Sequence, residues 1–446
     1  AQGSIYTGNN LYVGNGSTAL TLTTPTLVAV DNGATYAQAA IQNRTATGSA
    51  DWAAYADNGS DASGWADMGM TSALFSDANY TITGHNDGYI FAWGLGTSGQ
   101  LGTNDLTNRS SPVQIGTSSW SIVSAQEFSS MGITTTGALF AWGYNFYGQL
   151  GNGISGGFEY NKCSPVSVIG GFTDWCQVSA AVDFNLGLRT NGTVWAWGRN
   201  WGGQLGDGTY CDRCSPVSVV GGFTDWCQVS AGSTWTHAIR TNGTLWGWGW
   251  NSGGQLGDCT TTDRSSPVSV VGGFTDWCQV SVGCLHALGI RTNGTAWAWG
   301  YNSSGRLGDG TTTARSSPVS VVGGFTDWCQ VSAGQYHSLA LRTNGTAWAW
   351  GCGGNGRLGD CTITNKSSPV SVVGGFTDWC QVSGGYNHSL GVRTNGTLWS
   401  WGFNSSGRLG DGTITARSSP VSVVGGFTDW CQVSAGGYHS LAIRTF

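Results

Sequence analysis

The string GGFTDWCQVS recurs at a constant interval of 51 residues. Its tryptophan stands at Trp175, Trp226, Trp277, Trp328, Trp379 and Trp430. A period of this length without drift is typical of solenoids and propellers, in which each repeat is one supersecondary unit that stacks on its neighbours. The repeat therefore constrains the fold more than any other feature of the chain.

A second string, WG followed by G-Q/R-L-G, occurs seven times. It begins at Trp93, Trp142, Trp197, Trp248, Trp299, Trp350 and Trp401. Within one unit, SLALRTNGTAWAWG predicts two strands around a T-N-G turn, and SSPVSVVGG and WCQVSAG predict two more. Four short strands per unit favour a propeller blade over a helical solenoid.

The two ends of the periodic region complement each other. The first WG motif has no V-S-x-G half before it, and the last V-S-x-G half has no WG motif after it. If residues 432–446 pair with 84–110, seven blades close without a free sheet edge. The sequence predicts that 84–446 form an all-β, seven-bladed propeller, with 438–446 paired to 86–94.

Residues 1–83 lie outside the period. They are rich in Thr, Ala and Asn, and runs such as LYVGNGSTALTLTT and TPTLVAV suggest strands. A segment of this size makes a marginal core by itself. We expect a small β-rich N-terminal module that attaches the chain to a partner.

The combination of QVSAG, HSLALRTNGTLWAWG and GQLGDGT with a following SSPV resembles the regulator-of-chromosome-condensation repeat, whose members form seven-bladed propellers. The resemblance implies the fold, whereas function has to be argued from a site. The founding member's nucleotide-exchange and chromatin roles are not expected, because the chain has no basic tail and no matching loop. The stretch from SADWAAYADNG to GYIFA is similar to structural proteins of tailed bacteriophages.

Charge and hydropathy exclude two classes of partner. Charged residues make up 9% of the chain and the net charge is −6, which gives no electrostatic reason to bind nucleic acid. No apolar run approaches the ~18 residues of a membrane span, so no membrane insertion is expected. The start AQGSIYTGNN lacks a basic, apolar leader, so a signal was either removed or never present.

Thirteen cysteines raise metal and disulfide alternatives. Six follow the repeated tryptophan, and we expect them to be buried, reduced and apolar in behaviour. Cys211 and Cys214 form a C-x-x-C, but no second pair completes a zinc site, so no metal is expected. Cys352 and Cys361 lie in one loop region and could form a disulfide.

Repeated polar residues favour structural roles. His286, His337, His388 and His439 share one repeat position, where hydrogen bonding is expected, since a catalytic base is needed only once. Asp174 and Arg189 represent two further repeated positions. We expect these to form a ring of ion pairs or hydrogen bonds from blade to blade, with a ligand-binding ring as the alternative.

The variable positions after each WG motif carry the candidate partner contacts. The second WG unit is also longer, with NGISGGFEYNKC where the next has DGTYCDRC. Exposed aromatic side chains dominate many binding interfaces. The candidates are Tyr144, Phe146, Tyr147, Phe158, Glu159, Tyr160, Trp201, Trp235, Trp250, Tyr301 and Phe403.

These features predict a non-enzymatic virion appendage, such as a fibre, spike or decoration protein. Residues 1–83 would bind other virion proteins, and a propeller face would bind a host-surface protein or glycan or stabilise the particle. Self-association stays open. The alternative is a secreted or cell-surface bacterial adhesion protein. A polysaccharide-acting enzyme would need paired carboxylates, and Glu127 and Glu159 are the only glutamates. No cofactor is expected.

Overall fold

The computed structural model describes residues 88–445 in full and, before them, the backbone of six short strands. These strands form two three-stranded sheets. Their bounds are Ile5–Thr7, Asn10–Tyr12 and Leu20–Thr21, then Thr26–Asp31, Ala37–Gln42 and Trp52–Ala54. The predicted attachment role of 1–83 lies outside the residues described in full. Within the described part of the chain, no helix is long and apolar enough to cross a membrane.

Residues 88–445 form seven four-stranded antiparallel sheets, which confirms the predicted propeller. Blades 1 to 6 span 120–167, 175–218, 226–269, 277–320, 328–371 and 379–422, and blade 7 combines 430–445 with 88–114. In each blade the strand order follows the chain from the channel outward, apart from the split in blade 7.

The strand bounds repeat from blade 1 to blade 7. The innermost strands are Trp120–Ala125, Trp175–Ala180, Trp226–Ala231, Trp277–Val282, Trp328–Ala333, Trp379–Gly384 and Trp430–Ala435. The second strands are Ser129–Thr134, Phe184–Arg189, Trp235–Arg240, His286–Arg291, His337–Arg342, His388–Arg393 and His439–Thr445. The third strands are Leu139–Gly143, Val194–Gly198, Leu245–Gly249, Ala296–Gly300, Ala347–Gly351, Leu398–Gly402 and Gly88–Gly94. The outer strands are Lys162–Ser167, Arg213–Ser218, Arg264–Ser269, Arg315–Ser320, Lys366–Ser371, Arg417–Ser422 and Arg109–Gln114. Short 3-10 turns span Phe158–Tyr160 and Gly354–Gly356.

The ring closes through the two ends of the described region. Strand His439–Thr445 pairs with Gly88–Gly94, with His439 opposite Gly94 and Thr445 opposite Gly88. The predicted pairing is confirmed. Closure completes the four-stranded sheet of blade 7, so neither of these two strands is left with an unpaired edge.

The T-N-G turns mark one face of the propeller. In blade 2 the Asn191 side-chain oxygen accepts hydrogen bonds from the amide and hydroxyl of Thr193, at 3.1 and 2.7 Å. Gly192 has a φ of 73°, and a Cβ there would lie 2.1 Å from the Thr224 carbonyl oxygen. Only glycine fits this packed turn. We call this face the lower face, and the face that carries the loops after the innermost and third strands the upper face.

The Q-V-S part of the repeated string joins neighbouring blades around the channel. The Val229 amide donates to Oε1 of Gln177 at 2.9 Å, and the Ala231 amide donates to Oγ of Ser179 at 2.9 Å. Side-chain oxygens thus satisfy the inner-strand amides that have no strand partner on the channel side. Blade 1 carries Ile122 at the glutamine position. The channel encloses a cavity of about 170 Å³ lined by these residues.

The hydrophobic core lies between blades. Leu186 and Leu188 of blade 2 pack in one cluster with Trp226 and Val229 of blade 3. The tryptophan of each WG motif is fully buried, and the Trp299 Nε1 donates to the Gln255 carbonyl at 2.9 Å. No blade can bury its apolar face alone, so stability depends on the neighbours.

The repeated histidines are structural, as expected. The Nε2 atom of His337 lies 2.8 Å from Oγ of Ser389 in the next blade, and that of His439 lies 2.7 Å from Oγ of Ser130 across the closure. All four are fully buried.

The repeated aspartate and arginine form ion pairs within a blade, so the expected blade-to-blade ring is wrong. Arg189 Nε lies 2.8 Å from the Asp174 carboxylate, because Arg189 is the register partner of Trp175, the residue after the aspartate. Arg189 also lies 3.8 Å above the Phe172 ring. The same pairs are Arg240–Asp225, Arg291–Asp276, Arg342–Asp327, Arg393–Asp378 and Arg444–Asp429.

The expected burial of the DWC cysteines is wrong. Cys176, Cys227, Cys380 and Cys431 are exposed, and Cys278 and Cys329 are half-buried. In blade 2 the strand register shifts between Trp175 and Gln177, so Cys176 is the extra residue of a β-bulge. A bulge breaks the in–out alternation and turns its residue away from the core.

The suggested Cys352–Cys361 disulfide is also wrong, since both cysteines are free. The Cys352 amide donates to the carbonyl of Tyr336, in the loop after the innermost strand of the same blade, whereas the Cys361 amide donates to the carbonyl of Ser418 in the next blade. The two residues are therefore held against different neighbours.

We predict that Cys431 reacts with iodoacetamide in the native protein, at a rate that rises about tenfold per pH unit. Surrounding chain atoms partly desolvate its sulfur, and the Asp429 carboxylate adds to this effect, so its pKa is raised to about 11. Burial raises the pKa of Cys284 to about 12, and this buried thiol should stay unlabelled. Mass spectrometry after timed alkylation checks both. Labelling of Cys431 only after denaturation would contradict the exposed assignment.

Candidate functional site

Large apolar side chains are concentrated on the upper face. Among the described residues, the exposed examples in the loops between third and outer strands are Leu106, Phe146, Ile154, Phe158, Tyr160, Trp201, Tyr210, Ile363 and Ile414. The remaining ones, Ile169, Val220 and Val424, directly follow the outer strands, and their amides donate to the carbonyls of Gly151, Gly206 and Gly410. Exposed apolar groups that gather on one surface mark interaction sites more often than scattered ones do.

The longest upper loop, in blade 1, forms an aromatic cluster. Tyr144 stacks on Phe146 with ring centroids 6.3 Å apart, and Phe158 lies 6.1 Å from Tyr144. Phe146 also meets Tyr147 edge to face at 5.0 Å. Phe158 begins the 3-10 turn and is 75% exposed, with exposed Glu159 after it. Tyr160 ends the same turn.

A second cluster continues this surface across blades 2 to 4. The Arg199 guanidinium lies 4.4 Å from the Tyr147 ring and 5.7 Å from the Trp201 ring. Trp201 lies 6.3 Å from Trp250, which stacks on Tyr301 at 6.4 Å. One arginine thus joins the two clusters into a continuous aromatic arc, defined here as the rings from Phe158 to Tyr301.

The upper loops that follow the innermost strands, called here the inner rim, add aromatic residues that sequence reasoning missed. Phe128 stacks on Tyr438 at 5.2 Å and lies 6.2 Å from Tyr144, so the rim touches the arc. Tyr386 lies 6.0 Å from Tyr438. The signal was available, because Tyr336 and Tyr438 directly precede the repeated histidine and Tyr386 stands two residues before it.

Two predicted contact residues, Trp235 and Phe403, lie outside the aromatic arc. Trp235 is fully buried at the repeat position of the histidines, and its Nε1 donates to the Cys284 carbonyl at 3.3 Å. Its assignment as a partner contact is therefore wrong, because the position points into the core in every blade. Phe403 is half-buried on the upper face of blade 6, away from the arc, with its ring 5.0 Å from the Arg408 guanidinium.

Two carboxylates of the upper face, Glu127 and Asp183, already have partners. Tyr386 donates to Glu127 at 3.0 Å, and burial raises the pKa of Glu127. Burial also raises the pKa of Asp183, although the Arg199 guanidinium at 3.0 Å opposes this shift. Among the described residues, no group of three or more His, Cys, Asp or Glu side chains could hold a metal ion. The geometry suits recognition by aromatic rings.

Comparison with known proteins agrees with this architecture. The model of the regulator of chromosome condensation (RCC1) repeat matches residues 87–126, 136–188, 191–239, 242–290, 293–341, 344–392 and 395–443. The chain belongs to this repeat family.

Two similar proteins come from a plant. The Ultraviolet-B receptor UVR8 of Arabidopsis thaliana is 29% identical over 366 residues, which cover 78% of this chain and 80% of the receptor. The mitochondrial RCC1 domain-containing protein RUG3 of the same plant is 28% identical over 401 residues, 79% of this chain and 88% of RUG3. The crystal structure of Prp20p from Saccharomyces cerevisiae has a TM-score of 0.74 at 19% identity, covering 84% of this chain and 95% of that chain, and supports the fold.

The predicted virion function and virion localisation are wrong. The relatives are cellular proteins, a receptor and a mitochondrial protein, and they match the propeller that was assigned to host binding. The same finding contradicts the alternative of a bacterial surface-adhesion protein and its extracellular localisation. The suggested bacteriophage resemblance rests mainly on residues before 88, outside those described in full, and the comparisons give it no support.

Proposed function

We propose that this RCC1-repeat propeller is a protein-interaction module and that partner proteins bind its upper face at the aromatic arc. The proposal assigns the chain no catalytic role of its own. The observation that carries it is the continuous run of rings from Phe158 to Tyr301, next to the largest group of exposed apolar side chains. Aromatic and arginine side chains are the residues most enriched at binding hot spots.

Relatives with the same fold support proteins as the class of partner. One crystal structure shows Kap60 bound to yeast RCC1 (Prp20), and the work on Prp20p concerns its binding to Gsp1p and histones. Those partners belong to the yeast protein. For this chain they favour protein over nucleic acid or membrane, in agreement with its low charge.

We also propose that residues 84–446 form a binding unit that folds independently of 1–83. The larger of two compact units of the chain contains 88–445. A closed ring needs no further strand to complete its sheets.

We predict that Phe146→Ala combined with Trp201→Ala lowers capture of partner proteins at least about tenfold, because aromatic anchors carry most of the binding energy of an interface. Both side chains are close to half exposed, at 44% and 47%, so the thermal midpoint should fall only slightly. Quantitative mass spectrometry of proteins retained from a cell extract measures the loss.

The matched control removes exposed apolar groups that directly follow the outer strands and lie outside the aromatic arc, with Ile169→Ala and Val220→Ala. This variant should retain the same proteins as the unmodified chain. Equal capture by the aromatic variant and the unmodified chain would move the binding site away from the arc.

A further inference from the structure

One position of the upper loops changes chemistry halfway around the ring. The G-Q/R-L-G string carries glutamine in blades 7, 1, 2 and 3, and arginine in blades 4, 5 and 6. The glutamines are Gln100, Gln149, Gln204 and Gln255, and the arginines are Arg306, Arg357 and Arg408.

The fold does not require arginine at this position. Each glutamine closes its own loop, as when Oε1 of Gln149 accepts from the Tyr147 amide at 2.9 Å. The backbone carbonyl at this position accepts the same hydrogen bond whether the residue is glutamine or arginine. Trp299 Nε1 donates to the Gln255 carbonyl and Trp350 Nε1 donates to the Arg306 carbonyl, both at 2.9 Å. The three arginines therefore call for another explanation.

These three arginines lack a counter-charge. Within residues 88–445 every other arginine forms an ion pair with an aspartate. Arg306, Arg357 and Arg408 form none, although they are only 3%, 4% and 1% exposed. A buried cation without a carboxylate is costly, and it projects a positive potential over the adjacent surface.

Each guanidinium also keeps an unpartnered, buried nitrogen. These atoms are Nε of Arg306, Nη1 of Arg357 and Nε of Arg408. Their remaining bonds go to loop oxygens, such as the Gln335 carbonyl for Arg306 at 3.1 Å. Burial lowers the pKa of all three, and that of Arg408 falls to about 10, which leaves its guanidinium charged at neutral pH.

Half-buried aromatic rings lie against these cations. Tyr336 is 5.7 Å from the Arg306 guanidinium and 5.3 Å from that of Arg357. Tyr438 lies 5.1 Å from the Arg408 guanidinium. Tyr336 thus lies against two of the charges and Tyr438 against the third. We call this set of three arginines and two rings, from blade 4 to blade 6, the cationic sector.

We propose that the cationic sector binds an acidic peptide segment of a partner protein, its carboxylates over the three arginines and its apolar side chains on the adjacent rings of Tyr336 and Tyr438. This deepens the proposed protein-binding function and rests on it. Cations distributed over three blades match several single negative charges along an extended chain. One compact phosphate group would need them converged on one point.

The test measures binding of a short labelled peptide of alternating aspartate and phenylalanine to the full chain by fluorescence anisotropy. The same peptide with asparagine for aspartate is the reference probe. We expect at least about tenfold tighter binding of the aspartate peptide, lost in the triple variant Arg306→Gln, Arg357→Gln, Arg408→Gln. This variant installs the residue that blades 7, 1, 2 and 3 already carry, so it should fold, and its melting curve verifies this.

The control for net charge is Arg213→Gln, Arg264→Gln, Arg315→Gln, which removes three arginines already paired with aspartates. It should change the affinity less than about twofold, since these charges are neutralised in place. Equal affinity for both peptides, an unaffected triple variant, or equal weakening by the control would each overturn the proposal. Displacement of the peptide by micromolar inorganic phosphate would also overturn it, in favour of a small-anion site.

The capture experiment separates this proposal from the proposed function. If the aromatic variant loses its partners while the unmodified chain ignores the aspartate peptide, only the cationic sector is wrongly assigned. If the peptide binds as expected and the aromatic variant keeps its partners, the arc is wrongly assigned.

Discussion

Acidification from about pH 7 to about pH 5 will destabilise the folded propeller by about 4 kcal/mol through His237 and His439 alone. Burial lowers the pKa of both to about 3, from an ordinary value of 6.5, and Arg408 adds to the effect at His439. The unfolded chain therefore takes up protons below pH 6.5 and the folded chain does not until about pH 3. The contribution of these two histidines to stability is fully present above pH 6.5. It is lost progressively as the pH falls from 6.5 towards about 3.

Other groups modify the size of this loss. Burial also places the pKa values of His286, His337 and His388 well below 6.5, so these residues add to it. The raised pKa values of Glu127 and Asp183 act in the opposite direction. Denaturant titrations at several pH values measure the balance, and a midpoint that stays constant from pH 7 to pH 5 would contradict neutral, buried imidazoles.

The variant His237→Leu provides a matched control for the acid effect. The other blades that carry the repeat in full have leucine at this position, as at Leu288 and Leu339. Neither ring nitrogen of His237 has a hydrogen-bond partner that meets normal geometry. We expect the variant to be more stable and its pH dependence to be shallower by about 1.4 kcal/mol per pH unit.

Removal of residues 436–446 will abolish the cooperative folding of the propeller. The deletion eliminates the second strand of blade 7, so that Gly88–Gly94 and Trp430–Ala435 lose their shared partner. Buried Leu441 and Ile443 alone contribute about 3–6 kcal/mol, comparable with the whole stability of many domains. Circular dichroism and size-exclusion chromatography should show loss of the thermal transition and aggregation through the opened sheet edges.

A circular permutant tests whether closure or mere chain length matters. Thr445 lies opposite Gly88. In the permutant a single added asparagine joins Thr445 directly to Gly88, which recreates the T-N-G turn of the other blades. New ends can be placed in the lower-face segment at Gly425 and Gly426, where a Cβ on Gly426 would meet nothing within 4 Å. The permutant should fold, whereas the deletion should not. A deleted chain that remains monomeric with an unchanged melting temperature would show that the closure pairing is dispensable.

The sequence was sufficient to predict the ring because its period is long, regular and incomplete at both ends. Strand number, hairpin turns and closure follow from local alternation and from counting. Each of these properties depends on residues that lie close together in the chain or on a count of repeats. The amino-acid sequence alone therefore predicts them. The structural role of His337 and its equivalents followed in the same way, since a residue repeated in several blades has the same environment in each.

Tertiary structure alone decided which side chains reach the surface and which groups pair. The bulge at Cys176 exposes a residue that alternation would have buried, and the pairing of Arg189 with Trp175 directs its ion pair inside the blade. Trp235 is of a residue type that often anchors binding surfaces, but its side chain is fully buried in the core. Such outcomes depend on strand register and on contacts between distant segments.

Part of the candidate site could be predicted from the sequence and part was decided by the tertiary structure, for the same reason. The sequence determined that the variable aromatics after each WG motif share one face, because equivalent loops of a propeller lie together. It also shows the change from Gln255 to Arg306, but it does not show that Arg306 lacks a carboxylate. Charge pairing is a matter of distance between side chains that lie far apart along the chain, and only the folded ring sets those distances.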